Sequence, residues 1–161
     1  MDQEELAHHL VETYADAILR LSFSYLKNTA DAQDVCQTVL VKLLTQPKQF
    51  DSPAQERAWV LKVTANQCRD LLKSAWRQKT CCLEACQEPA APEAPSGEVW
   101  EAVSALPDKY RAVVYLHYYE GYRAEEIGQL LGLPVNTVYT RLARARAQLK
   151  KLLEGDSYET V

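Results

Sequence analysis

The stretch Ala124-Glu125-Glu126-Ile127-Gly128-Gln129-Leu130-Leu131-Gly132-Leu133-Pro134-Val135-Asn136-Thr137-Val138-Tyr139 reads as two short helices around a sharp turn. Ile127, Leu130 and Leu131 supply the inward face of the first helix. Small Gly128 lets the helices approach closely, Gly132 permits a left-handed turn residue, and Leu133 plugs the corner. Val138 and Leu142 fix the second helix against the first, leaving Asn136, Thr137, Tyr139, Thr140, Arg141 and Arg144 on or near the outward side. A second helix of this kind lies in the major groove with its first residues at base edges. Asn136, Thr137 and Thr140 are short donors or acceptors for that task, and Arg141 suits a guanine edge or a phosphate. Arg144, Arg146, Lys150 and Lys151 sit farther along and suit phosphates. The alternative is an ordinary hairpin in a helical bundle, which the one-sign charge disfavours.

Outward from this motif the pattern stays helical, with few glycines and no alternating β-branched runs. Ahead of it, helices are expected from about Gly97 to Ala105, stopped by Pro107, and from about Asp108 to Tyr119, ended by Gly121. Behind it, one helix runs from Val135 to about Leu153. The Pro-, Ala- and Glu-rich run from Gln87 to Ser96 has no periodic apolar face and reads as a linker. Three longer helices precede it. The first spans about Gln3 to Lys27, with Asp2 as N-cap and Glu5 completing a capping box. The second is capped by Asp31 and reaches about Thr45, with Pro47 as its stop. The third opens at Ser52-Pro53, with Gln55 completing a box. Its apolar stripe includes Trp59, expected in the core, and Val63. The expected fold is all-α: an N-terminal domain over 1–79, a flexible linker over 80–96 and a helix-turn-helix domain over 97–161.

The 161 residues carry a net charge of −4, which speaks against nucleic acid until the distribution is read. From Arg57 to Lys79 there are six bases and one acid, and from Pro134 to Lys151 five bases and no acid. Two separated basic faces on a mildly acidic chain suit DNA contact at two points. Lys62, Asn66, Arg69 and Lys73 recur at helical spacing as one polar stripe of the third helix. No stretch has the length of apolar sequence a membrane span needs, and the opening residues lack a secretory pattern, so a cytoplasmic protein is expected. The five cysteines include a Cys81-Cys82…Cys86 cluster that lacks paired metal-ligand spacing and a nearby His, so no metal or cofactor is expected. Without paired carboxylates, a nucleophile with its base, or a glycine-rich phosphate loop, an enzyme is the remotest reading.

Three ordered stretches resemble extracytoplasmic-function sigma factors of the sigma-70 family, a resemblance that spans nearly the whole chain. Leu106-Pro107-Asp108-Lys109-Tyr110-Arg111-Ala112-Val113-Val114-Tyr115-Leu116, then Tyr118-Tyr119-Glu120-Gly121-Tyr122 and the helix-turn-helix, resemble the family's C-terminal domain. Asp31-Ala32-Gln33-Asp34-Val35-Cys36-Gln37-Thr38-Val39-Leu40 resembles its polymerase-gripping helix, and Ala58 to Asp70 its promoter-melting helix. The resemblance implies core RNA polymerase and promoter DNA as partners, with an anti-sigma protein that covers the polymerase-binding faces. It implies that Asp31, Asp34 and Gln37 face the polymerase clamp, although capping and solvated surface account for the same residues. It implies that Phe50 and Asp51, in the loop Gln49 to Ser52, cradle a base flipped from the minus-ten element. A core plug is an equal reading of Phe50. It implies that Lys62, Asn66, Arg69 and Lys73 lie along the minus-ten DNA, with Trp76 and Arg77 extending the platform. Asn136, Thr137, Tyr139, Thr140, Arg141 and Arg144 would then read the minus-thirty-five element. Two positions depart from the family: Thr38 stands where an acid is frequent and Tyr139 where Lys or Arg is frequent. The chief alternative is a stand-alone helix-turn-helix transcriptional regulator that binds duplex DNA without the polymerase.

Overall fold

The computed structural model describes residues 2–45, 49–77 and 98–159. The linker reading, Pro47 as a helix stop, Lys79 and the cysteine cluster lie outside these residues, as do the side chains of Trp76 and Arg77. All regular elements among the described residues are helices: α1 (Gln3–Leu26), α2 (Thr29–Thr45), α3 (Pro53–Arg77), α4 (Glu98–Ser104), α5 (Asp108–Val114), a π-helical turn (Tyr115–Tyr119), α6 (Ala124–Leu131) and α7 (Val135–Glu159). The chain divides into two compact units, Met1–Ala90 and Ala91–Val161.

In the first unit α1 packs on both α2 and α3. Its N-terminus is capped as the sequence indicates: Glu5 N–H donates to Asp2 Oδ1 at 2.8 Å. Lys27 ends it in the left-handed region at φ 51° and donates its N–H to Phe23 O. The cap of α2 is Asn28 rather than Asp31, because Asn28 Oδ1 accepts the Asp31 N–H at 2.9 Å. An Asx side chain before the first turn satisfies an orphan amide there, and Asp31 is left as a first-turn acid, where the helix dipole favours it. On α3, Ser52 Oγ accepts Gln55 N–H at 3.1 Å. Gln55 Oε1 reaches back to the Asp51 N–H at 2.6 Å, one residue beyond the expected partner.

The core of this unit includes Ile18, Leu21, Val35, Val39, Val60, Leu61, Ala65 and Cys68, none more than 1% exposed. The buried face of α3 is thus the row Val60/Leu61/Thr64/Ala65/Cys68, not the expected Trp59/Val63 stripe. Trp59 is half-buried at the edge of that row, where its ring meets Phe50 at a centroid distance of 5.8 Å. Tyr14 Oη donates to Glu56 Oε1 at 2.5 Å and ties α1 to the first turn of α3. Burial pushes the Cys68 thiol from the ordinary 9.0 up to about 11. Burial, and then the nearby Asp16 charge, also raise Cys36. Thiols so held are poor nucleophiles. Both are expected to resist alkylation in the native full chain at neutral pH and to react only on unfolding, as mass spectrometry with and without denaturant would show. The stability held by the protonated Cys68 is present below 9.0 and is lost as pH rises toward about 11, because the folded value is the higher one.

In the second unit α7 packs against α4, α5 and α6. Its core includes Leu106, Val113, Leu116, Ile127, Val138, Leu142 and Ala145, all at most 2% exposed. Pro107 ends one helix and starts the next: its carbonyl accepts the N–H groups of Tyr110 and Arg111, each at 3.0 Å. The expected single helix from Asp108 to Tyr119 is α-helical only to Val114 and widens into the π turn. Its mark is the Glu120 N–H to Tyr115 O bond at 3.1 Å, spanning five residues. Within this turn Tyr115 and Tyr119 stack at 5.2 Å, and Tyr115 Oη donates to Glu120 Oε2 at 2.5 Å. Arg111 is 7% exposed and donates Nη1–H to Leu106 O. Burial lowers its pKa against the opposing pull of Asp108.

Candidate nucleic-acid interface

The helix-turn-helix forms as its residues require. Arg123 stands at the N-cap of α6, and its N–H donates to Glu126 Oε1 at 3.0 Å. That backbone bond is the main reason the Glu126 carboxyl lies below the usual carboxylate range. At the other end Gly132 adopts φ 67°, and the Leu133 N–H closes on Gly128 O at 2.9 Å. Gly128 packs tightly under the turn that leads into α7: a Cβ placed there would lie 2.8 Å from Leu133 O. Val138, at 0% exposure, locks α7 onto α6.

Five of the six residues expected to read duplex DNA are gathered in one place. Asn136, Thr137, Thr140, Arg141 and Arg144 line an open cleft of about 310 Å³, joined by Lys109 and Tyr110 from α5. The wall is cationic at Lys109, Arg141 and Arg144 and contains no acid, the chemistry of a phosphate-facing groove. Lys109 Nζ lies 5.4 Å from the Tyr110 ring centroid. Thr140 Oγ1 donates to Asn136 O at 2.9 Å, so that hydroxyl faces outward as an acceptor. The sequence reading missed Lys109. Nothing local to α5 says that its start lies beside the start of α7, since that juxtaposition belongs to the tertiary packing.

Tyr139 is the sixth residue, and it does not line the cleft. It is 51% exposed and donates Oη–H to Glu125 Oε1 on α6 at 2.7 Å. This bond is the largest cause lowering the Glu125 carboxyl and raising the Tyr139 phenol. Arg146, two residues past Arg144, donates Nε–H to Tyr118 Oη and lies over that ring at 5.7 Å.

In the first unit, Lys62, Asn66 and Lys73 are exposed and Arg69 is half-buried, on the side of α3 away from its buried row. Arg69 Nη2–H donates to Asn66 Oδ1 at 2.6 Å. That bond fixes the Asn66 amide, whose NH₂ group remains a donor. Phe50 is half-buried against Trp59, and Asp51 is exposed beside it. Asp31, Asp34 and Gln37 are all exposed on α2. Thr38 donates its hydroxyl to Asp34 O at 3.0 Å. Among the described residues, no three or more His, Cys, Asp or Glu side chains converge to hold a metal. No helix among them is long and apolar enough to cross a membrane.

Comparison with known proteins identifies the family. Residues 10–78 match the model of Sigma-70 region 2, and residues 96–149 that of Sigma-70, region 4. The chain is 31% identical to the ECF RNA polymerase sigma factor SigM of Mycobacterium tuberculosis, across 94% of this chain and 84% of that protein. It is 30% identical to the RNA polymerase sigma factor SigV of Bacillus subtilis, across 82% of this chain and 84% of that protein. With the ECF RNA polymerase sigma factor SigE of Mycolicibacterium smegmatis it shares 29% identity, spanning 63% of that protein's length. Among solved structures, CnrH in complex with the cytosolic domain of CnrY matches with a TM-score of 0.64 and 27% identity, across 95% of this chain and 90% of that one. The fold is also that of the sigma factor RpoE in complex with the anti-sigma factor NepR from Bartonella quintana, at a TM-score of 0.71 and 18% identity, across 94% and 98% of the two chains. With region 2 in its first unit, region 4 in its second and relatives of this identity, the chain belongs to the extracytoplasmic-function sigma factors of the sigma-70 family.

Proposed function

We propose that this sigma factor confers promoter recognition and transcription initiation on core RNA polymerase by dividing the promoter between its two units. Residues 97–161 dock the minus-thirty-five duplex, and residues 1–79 hold the clamp and capture and open the minus-ten element. The observation that carries the first half is the acid-free cleft, where the start of α7 meets Lys109 beside two arginines. Within it Asn136, Thr137, Thr140 and Arg141 face base edges and Lys109 and Arg144 face phosphates. On α3 the Asn66 amide, held by Arg69, faces the opened strand with Lys62 and Lys73 on its phosphates. Phe50, on the rim against Trp59, offers a stacking face to a flipped base, with Asp51 beside it to bond the base edge. Asp31, Asp34 and Gln37, exposed along α2, meet the polymerase clamp. The protein lends specificity and the phosphodiester chemistry stays with the polymerase, which places its work in the cytoplasm. Two solved neighbours are complexes with another protein, one of them an anti-sigma factor, which supports an anti-sigma partner for this chain.

Replacing Arg141 by alanine separates base reading from phosphate holding. The expected loss is about 1–3 kcal/mol of promoter binding, concentrated at one base pair of the upstream element. Arg144→Ala should instead weaken all promoters equally and flatten the salt dependence. Holoenzyme binding to a set of single-base promoter variants measures both. A loss for Arg141→Ala that is equal across every variant would reassign it to the phosphates.

A further inference from the structure

Tyr139 stands apart from the cleft, and its partner Glu125 belongs to the other helix of the motif. We propose that Tyr139 and Glu125 work as one acceptor-only reading pair, selecting a base that shows an amino group in the major groove, adenine or cytosine, at the position they face and rejecting guanine. The proposal rests on the reading of α7 as the helix that meets the minus-thirty-five duplex.

Tyr139 lies five residues into α7, the part of a recognition helix whose side chains reach base edges. A phenol has one proton to donate and two lone pairs, and an ionised carboxylate can only accept. The phenol proton is committed to Glu125 Oε1 at 2.7 Å. What remains toward the groove is a phenol lone pair and the second carboxylate oxygen, so the pair offers acceptors and no donor. In the major groove guanine shows only acceptors, N7 and O6, whereas adenine and cytosine carry amino donors at N6 and N4. Guanine opposite this pair brings acceptor against acceptor in a dehydrated interface. An amino group satisfies it. Turning the phenol to donate to guanine would strip Glu125 of the hydrogen bond that chiefly stabilises its charge. A carboxylate near DNA adds little affinity, and its effect is to exclude the wrong base. Lys109, Arg141 and Arg144 on the neighbouring cleft offset its charge toward the phosphates. The shifts of the two groups keep the proton on the phenol and the charge on the carboxylate, so the selection should not vary across neutral pH.

The test uses the full chain bound to core polymerase and a promoter library randomised through the upstream element, with bound sequences read out. Wild type should enrich adenine or cytosine over guanine about tenfold at one position, a modest value for a base-edge contact. Tyr139→Phe and Glu125→Ala should each reduce that preference to about twofold or less, and the double variant should go no further. Glu125→Gln, whose amide can donate, should let guanine in. Both residues are exposed, so the variants should keep the parent melting temperature. An unchanged preference in Glu125→Ala would overturn the pair, as would guanine enrichment by the wild type. Arg141→Ala in the same library separates the two levels. If it alters base preference while the Tyr139 and Glu125 variants do not, only the pair is wrong. If none of them has an effect, the assignment of α7 to the duplex fails with it.

Discussion

Gly128→Ala is expected to destabilise the helix-turn-helix by about 1–2 kcal/mol, and Gly128→Val by about 3 kcal/mol or more. Two effects compete in the alanine variant. In an ordinary helix interior, Gly→Ala gains up to about 1 kcal/mol through propensity. Here the new Cβ would sit 2.8 Å from Leu133 O, a backbone atom that no side-chain rotation can move aside. Val135 Cα lies 3.8 Å away, so relief must come from shifting the turn and the start of α7 together. The clash wins. Because α7 starts at Val135, the same shift displaces Asn136, Thr137 and Thr140 from the cleft, and promoter binding should fall further than stability alone requires. Gly132→Ala is the contrast: nothing lies within 4 Å, and its cost is only that of the left-handed backbone at φ 67°, about 1–2 kcal/mol. Amide hydrogen exchange across α6 and α7, paired with promoter binding by the holoenzyme, measures both. Equal promoter loss in the two alanine variants at equal stability would deny Gly128 its role in aligning α7.

Ile18→Ala is expected to cost about 2–5 kcal/mol, the range for deleting a fully buried aliphatic side chain. Ile18 is 0% exposed on α1, the helix that packs on both α2 and α3. Against a total stability of about 5–15 kcal/mol for a whole domain, that is a large fraction. Ile18→Val should cost about 0.5–1.5 kcal/mol. Exchange protection should drop throughout α1, α2 and α3, because α1 packs on both of the others. Protection kept in α2 and α3 alongside a loss confined to α1 would show that Ile18 does not hold the three helices together.

Much of this architecture is legible in the residues because local chemistry decides it. Asp2, Ser52 and Gly132 act at helix ends, where one side chain or one backbone angle settles the boundary. The stripe Ile127, Leu130, Leu131 and the small residue at Gly128 identify the helix-turn-helix for the same reason. The errors come from choices between near-equal local options. Asn28 and Asp31 both suit a cap, and the chain direction after Lys27 selects Asn28. Trp59 and Val60 adjoin on α3, and a rotation of one residue decides which is buried, a matter set by α1 and α2. The π turn after Val114 has no sequence mark, since it depends on where Tyr115 finds Tyr119 and Glu120.

The candidate site divides in the same way. The residues of α7 follow from helical spacing once the motif is read, and five of them do share a cleft. Lys109 enters that cleft from α5, and Glu125 claims Tyr139 from α6, through packing that spacing along one helix does not report. The residue that departs from the family at position 139 is thus accommodated by a partner already present on the neighbouring helix.

The most direct measurement is to mix the purified full chain with bacterial core RNA polymerase, follow comigration, and then sequence transcripts made from a promoter library. Stable comigration, with transcripts starting a fixed distance from a shared pair of upstream elements, is the predicted result. Tight binding to duplex DNA by the chain alone, with no association with a competent core enzyme and no promoter-specific transcript, would contradict it.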